Sequence, residues 1–378
     1  VTPDREHPLS GKPGPRRVVH VETGRHLYGG AAQVLYLCTG LQALGVESVL
    51  VAPSGSAIAE AAAGRGLRVH TVPLAGEGDL RFVPRLVRIL REEAPDLVHC
   101  HSRRGADTLG GLAAKAAGIP AVVSRRVDNP EPALLALPKY ALYRKVITIS
   151  ERIREVVIST GADPTKVVCV RSAVEVERWS GPCDPGRFRE VTGAVEGEPT
   201  LGVAAQFIQR KGHRDLLEAL PAILEQHPRL RVILFGRGPL EEELRELAGS
   251  LGVAERVVFP GFVDDLHRIL PCLDLLVHPA HMEGLGVILL QASAAGVPIV
   301  AAAGGGIPEV VREGTNGLLV PPGDVAVLTR AVLTLLADEA LRRRLGEGGR
   351  TLARDEFSVA AMVQGNLAVY REVLADSA

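Results

Sequence analysis

The chain has 378 residues, 46% of them hydrophobic and 3% aromatic, with 43 Lys and Arg against 44 Asp and Glu for a formal net charge of −1. That length suits two domains rather than one, the apolar content suits substantial cores, and the scarcity of aromatic residues argues against stacking platforms for nucleic acid. The five cysteines, Cys38, Cys100, Cys169, Cys183 and Cys272, are scattered, with no CxxC pair and no Cys/His cluster at zinc spacing, which predicts a reduced cytosolic protein without a structural metal.

Residues 1–17, VTPDREHPLSGKPGPRR, are polar and rich in Pro and Gly. They lack the apolar h-region of an export signal and are expected to form a disordered tail. Over residues 18–180, short apolar runs alternate with helix-length segments: RVVHVET at 17–23, SVLVAP at 48–53, RVHTVPL at 68–74, DLVHCH at 96–101, PAVVS at 120–124 and KVITIS at 145–150. Continuously apolar strands of this kind predict a parallel sheet covered on both faces. Residues 181–198 are rich in Gly, Pro and charge without periodicity, as a linker between domains should be. The scheme then repeats over 199–356, in TLGVAA at 200–205, LRVILFG at 230–236, RVVFPG at 256–261, DLLVHP at 274–279, PIVAA at 298–302 and GLLVPP at 317–322. Residues 357–378 read as a C-terminal helix able to cross back to the first domain. Two doubly wound domains joined in this way predict a cleft where strand C-termini face one another. No run of eighteen apolar residues marks a membrane span.

The most informative stretch is Glu283 to Ala301, EGLGVILLQASAAGVPIVA. A carboxylate and a Gly-rich turn precede a short helix and then a buried strand. Backbone N–H groups at Gly284, Leu285 and Gly286 are expected to face a phosphate-like group. Gln291 follows on the same helix, roughly 12 Å from Glu283 at about 1.5 Å per residue, which suits the span of a nucleotide sugar. Gly24 to Gly30, GRHLYGG, follows the first strand, and Gly29 with Gly30 permits close approach of a ligand phosphate or sugar. Gln206 to Gly212, QFIQRKG, follows the first strand of the second domain and presents Lys211 as a positive charge. His99 and His101 share one face of a strand, but no third ligand is placed by the sequence, so no metal is expected. Arg125 and Arg126, at another strand end, form a basic pair suited to an anionic acceptor or a leaving phosphate. The plain alternative for each motif is a structural turn or a solvated loop.

Net charge is +6 over residues 1–180 and −7 over the remainder. The basic half suits an anionic acceptor or an anionic membrane surface, with a merely solvated imbalance as the alternative.

Together these motifs resemble the retaining glycosyltransferases of family 4, of group 1 type and GT-B fold, over nearly the whole chain. The family's Glu-x7-Glu region resembles Glu283 to Gln291. Its Gly-Arg-x4-Lys-Gly phosphate loop resembles Ala205 to Gly212, and its Asn-Gly-Val-Asp element resembles Ser172 to Glu175. GGIPEVV at 305–311 and NGLLVPPGD at 316–324 read like its donor domain, and GFVDD at 261–265 stands where such enzymes hold the nucleotide base, which implicates Phe262 and Val263.

The resemblance implies an α/β architecture of two Rossmann-like doubly wound parallel-sheet domains facing an interdomain cleft. It implies a retaining, metal-independent enzyme with no cofactor, using a UDP- or GDP-sugar as donor substrate and a glycan or glycolipid hydroxyl as acceptor. Cell-envelope polysaccharide of the lipopolysaccharide type, made in the cytoplasm or at the inner face of the cell membrane, is the expected setting. Catalytic roles fall to Glu283, Lys211, His101 and Arg126. Donor binding falls to Gly29, Gly30, Gln206, Arg210, Phe262, Val263, Gly284, Leu285, Gly286 and Gln291. Three positions depart from the family: Gln291 stands for a Glu, Gln206 for an Arg that holds the diphosphate, and Arg126 for a His near the reacting sugar. A nucleotide-sugar 2-epimerase of the same architecture, and a two-domain sugar-binding protein, are the alternative readings.

Overall fold

The computed structural model describes residues 14–27, 29–101 and 105–376. Of the predicted tail, residues 1–13 lie outside the described residues, and Arg17 at its end already belongs to the first strand. The chain divides into two compact units, one running to Ser172 and including the last helix, Val359–Ala375, the other running from Ala173 to Ser358.

The first unit holds seven parallel strands in the order β3-β2-β1-β4-β5-β6-β7. They are β1 (Arg17–Val21), β2 (Glu47–Pro53), β3 (Arg68–Val72), β4 (Leu97–Cys100), β5 (Ala121–Arg125), β6 (Lys145–Thr148) and β7 (Val167–Cys169). β2 is buried from Ser48 to Pro53 and β5 along its whole length, which is why both read as continuous apolar runs instead of alternating ones. The strand order reverses between β1 and β4, and the open crevice beyond strand C-termini at such a switch point is where doubly wound sheets bind ligands. β7 was not foreseen: its three residues form a partly exposed sheet edge, too short to leave a pattern.

The second unit holds six parallel strands in the order β10-β9-β8-β11-β12-β13, namely β8 (Thr200–Ala204), β9 (Arg231–Phe235), β10 (Val257–Gly261), β11 (Leu275–His278), β12 (Ile299–Ala302) and β13 (Gly317–Val320). Its switch point lies between β8 and β11. One core cluster joins Leu201, Val203, Val232, Leu234, Leu275 and Val277 of the sheet to Leu216, Leu220, Leu328 and Val332 of the covering helices.

Two sequence expectations need correction here. The segment 181–198 is not simply an aperiodic linker: Pro185–Thr192 is a helix, started by the Asp184 carboxylate accepting from the Arg187 N–H at 3.0 Å and ended by Gly193 in the left-handed conformation. Only Phe188 and Thr192 of it are buried, too narrow a stripe to register as periodicity. Nor are all the cysteines reduced. Cys183 and Cys272 form a disulfide across 89 positions of sequence, leaving Cys38, Cys100 and Cys169 free. Spacing alone carries no pairing signal over that distance.

The last helix packs into the first unit. Tyr370 is fully buried on it, and Glu372 pairs with Lys145 of β6 at 2.5 Å. Among the described residues, no helix is long and apolar enough to cross a membrane.

Candidate active site

Two loops leave the switch point of the second unit. The one after β8 turns through a short 3-10 segment, Gln209–Lys211, into Gly212 and the helix His213–Gln226. Gly212 has φ +67°, and a Cβ there would fall onto the carbonyl oxygen of Pro279 in the loop after β11. Only glycine lets the two loops approach so closely. Further bonds fasten them: His281 N–H donates to the Arg210 carbonyl at 2.9 Å, and His281 Nε2 contacts Asp215 at 2.6 Å.

This approach brings Lys211 Nζ onto Oε2 of Glu283, with side chains only 12% and 17% exposed. His278, the last residue of β11 and buried, places Nε2 3.4 Å from the same oxygen. Burial by itself would raise the Glu283 carboxyl, but His278 and Lys211 outweigh it and hold it down at about 2. Burial lowers His278 below the ordinary histidine value, with Glu283 opposing. Glu283 is therefore an ionised acceptor of hydrogen bonds, not a proton donor, across the neutral range.

Gly304 to Gly306 lie under the Glu283 loop, and the Gly306 N–H donates to the Glu283 carbonyl at 2.8 Å. A side chain at Gly305, φ +62°, would strike that same carbonyl. Gly286 takes φ +89° and opens the nine-residue helix Val287–Ala295. Gly284, Leu285 and Gly286 are buried, and among the described residues their N–H groups have no backbone hydrogen-bond partner. They stand as the free donors of a helix start. Since the helix begins at Val287, only the stretch from there to half-buried Gln291 is helical, and the 12 Å span counted from Glu283 is an overestimate of the helical part.

Gln206 and Arg210 are exposed on the β8 loop, where their carbonyls accept from Ile208 and His281. Phe262, 58% exposed, and half-buried Val263 follow β10, two strands away from β8.

The residues of the first unit converge at its own switch point. Gly29 and Gly30 open the fifteen-residue helix Gly29–Ala43, and the Cα of Gly30 faces Arg126, whose Cδ would lie 3.6 Å from a Cβ placed there. His101 is buried directly beyond β4, with Nδ1 3.5 Å from the Arg126 guanidinium. Burial pushes Arg126 down to about 10 while buried Glu22 supports its charge, and Arg126 Nε has no hydrogen-bond partner among the described residues. Arg125 does not join it. Arg125 is 3% exposed, bonds Glu131 at 2.7 Å and donates to the Asn129 carbonyl, so the expected basic pair is one internal strut and one available cation. Strand alternation explains this: successive side chains leave β5 on opposite faces.

Sequence reasoning missed Glu22, His20, His278, Asp215 and His281. His20 on β1 is the third histidine that the sequence could not place, paired in register with His99 of β4.

Two doubly wound parallel-sheet units, each with a Gly-marked helix start and a cation at its switch point, define the GT-B class of α/β enzyme. The match to solved structures agrees. A glycosyltransferase from Rickettsia africae superposes with a TM-score of 0.85 at 17% identity, over 95% of this chain and 98% of that one. HepE from Anabaena, in complex with UDP and glucose, gives 0.82 at 19% identity, over 94% and 100%.

By sequence, residues 28–178 match the family model "Glycosyltransferase Family 4" and residues 186–352 match "Glycosyl transferases group 1". D-inositol 3-phosphate glycosyltransferase of Salinispora arenicola is 31% identical over 326 residues, covering 76% of this chain and 72% of that protein. GDP-mannose-dependent alpha-(1-6)-phosphatidylinositol monomannoside mannosyltransferase of Mycolicibacterium smegmatis is 30% identical, covering 72% and 75%. Lipopolysaccharide core biosynthesis glycosyltransferase LpsE of Rhizobium meliloti is 34% identical over 45% of this chain and 48% of its own length. The chain belongs to glycosyltransferase family 4, group 1 type, and is a glycosyltransferase.

Proposed function

We propose that this enzyme is a retaining, metal-independent transferase that moves a sugar from a nucleotide-diphosphate sugar to a hydroxyl of a glycan or glycolipid acceptor in cell-envelope polysaccharide synthesis. The observation that carries the reading is the Lys211–Glu283 pair at the head of the Gly284–Gly286 turn. Departure of a nucleotide diphosphate develops negative charge on the leaving oxygen, and stabilising that charge is the main catalytic task. Lys211 and the free N–H groups before Val287 supply positive potential in one place. Glu283, ionised beside them, accepts hydrogen bonds from donor-sugar hydroxyls and fixes the sugar against the diphosphate. Gln291 meets the ribose with an amide that both donates and accepts, and Phe262 with Val263 meets the base. Gln206 carries no charge, so Lys211 with exposed Arg210 takes the full load at the diphosphate.

In the first unit, the helix start at Gly29 and Gly30 meets the donor diphosphate, and Arg126 with His101 forms the side of the acceptor and of the leaving phosphate. Retention, which the family resemblance implies, would come from attack of the acceptor on the face the diphosphate leaves; the engagement of Glu283 by Lys211 and His278 argues against its acting as the nucleophile of a double displacement. The donor class is supported by the GDP-mannose dependence of the mycobacterial relative and by UDP and glucose in HepE. The envelope setting is supported by the lipopolysaccharide role of LpsE.

A thermal-shift panel of UDP-, GDP- and ADP-sugars, followed by product analysis with and without acceptor, tests the reading. At least one donor should raise Tm by mass action, and sugar should leave it only by transfer or slow hydrolysis. Epimerised donor in the absence of acceptor would instead assign an epimerase.

A further inference from the structure

Three histidine rings meet at the switch point of the first unit, all essentially without solvent exposure: His20 on β1, His99 on β4 and His101 beyond it. His99 uses both nitrogens, Nδ1 with the Tyr370 hydroxyl at 2.6 Å and Nε2 with Ser124 Oγ at 2.8 Å. His101 Nε2 lies 3.0 Å from His20 Nδ1, and its other nitrogen faces Arg126.

We propose that His20 is a positioning residue, which holds His101 in the tautomer whose Nδ1 lone pair faces Arg126. The inference rests on the proposed roles of His101 and Arg126. A guanidinium only donates, so the His101 nitrogen that faces it must be the acceptor. A neutral imidazole then carries its proton on Nε2, and that N–H needs an acceptor in a buried place. His20 Nδ1 is the one it meets. The reverse arrangement, with His20 donating to Nε2, would put an N–H of His101 against an N–H of Arg126. His20 thereby fixes both the ring plane of His101 and the side on which the Arg126 cation rests.

The nitrogens of the three rings also lie within 4.8 Å of one another, as a metal set requires. A metal would displace Tyr370 or Ser124 from His99 and break the His20–His101 bond beside an arginine cation. The hydrogen-bonded chain accounts for the contacts of His99, His101 and Arg126 without that loss and leaves one buried ring nitrogen, His20 Nε2, without a hydrogen-bond partner among the described residues, so a bound metal is an outcome of the test.

The test is tautomer assignment by long-range 1H–15N NMR on the full-length protein labelled with 15N-histidine, with His101→Gln identifying the resonances among the eleven histidines. Wild type should show His101 neutral and protonated on Nε2. His20→Leu should lose that single tautomer and lower kcat ~10–100-fold with donor KM little changed. His20→Asn keeps an acceptor near the Nδ1 position and should restore both. A wild-type His101 protonated on Nδ1, an unchanged tautomer in His20→Leu, equal impairment of the Leu and Asn variants, or stoichiometric metal with metal-shifted resonances would each overturn the proposal. Should His101→Gln itself retain full turnover, the catalytic reading of His101 fails, while the NMR outcome still decides what His20 does.

Discussion

Lys211 and Glu283, 72 positions apart in sequence, close on one another as an ion pair inside the second unit, with His278 behind the carboxylate. In the proposed function each partner meets a different part of the donor, the cation the phosphate and the anion the sugar. Each neutralises the other, which removes the cost of leaving a largely buried charge unpaired.

The pairing predicts a definite acid sensitivity. Glu283 is held at about 2 against an ordinary value of 4.5, so its contribution is fully present above the unfolded value and is lost as pH falls through the folded one. Urea unfolding between about pH 5 and pH 2 should show wild type losing a few kcal/mol more than Glu283→Gln. Comparing the two variants removes the background from other depressed carboxylates such as Asp184 and Glu198.

Lys211→Ala should lower kcat ~10²–10³-fold, the scale of losing one preorganised electrostatic group. Lys211→Arg should recover only part of it, because a planar guanidinium presents its charge as a broad fork where the lysine, 12% exposed, offers a compact ammonium. Steady-state kinetics with a saturating donor check both; full recovery by Arg would argue for a charge acting at long range.

Gly212→Ala should destabilise by ~2–4 kcal/mol, since φ +67° disfavours any side chain and the Pro279 carbonyl occupies the space. Gly249→Ala, in the helix Glu241–Ser250 with nothing within 4 Å, should be neutral or stabilising by up to ~1 kcal/mol. Denaturant midpoints measured side by side separate the two effects.

The Cys183–Cys272 disulfide joins the helix Pro185–Thr192 to the segment after β10, where Arg187 also grips Asp265 at 3.0 and 3.2 Å and Arg268 meets Asp184 at 2.5 Å. Replacing both cysteines by serine should cost about 2–4 kcal/mol of stability and weaken nucleotide binding by loosening the loop that carries Phe262 and Val263. Peptide mapping without reductant should find the 183–272 pair; free thiols at both positions would contradict the linkage.

The positions of the strands, though not their order in the sheets, were legible because parallel strands covered on both faces are largely apolar, and twelve such runs stand in the sequence where strands β1–β6 and β8–β13 lie. Glu283, Lys211 and the glycines stood out in the sequence as a charged residue beside a Gly-rich turn before a short helix, and the structure brings Lys211 and Glu283 together there. His20, His278 and the disulfide were hidden for one shared reason: each acquires its partner only when distant strands or segments meet, and a lone buried histidine or cysteine looks like core. Arg125 misled because residues adjacent in sequence at a strand end point to opposite faces.

The most direct measurement is turnover of the Glu283→Ala enzyme with the donor that the panel selects, set beside its affinity for the matching nucleotide diphosphate. The account predicts kcat lower by ~10²-fold or more with nucleotide affinity changed by no more than a few-fold, because the carboxylate grips the sugar and not the nucleotide. Turnover equal to that of the wild type would contradict it.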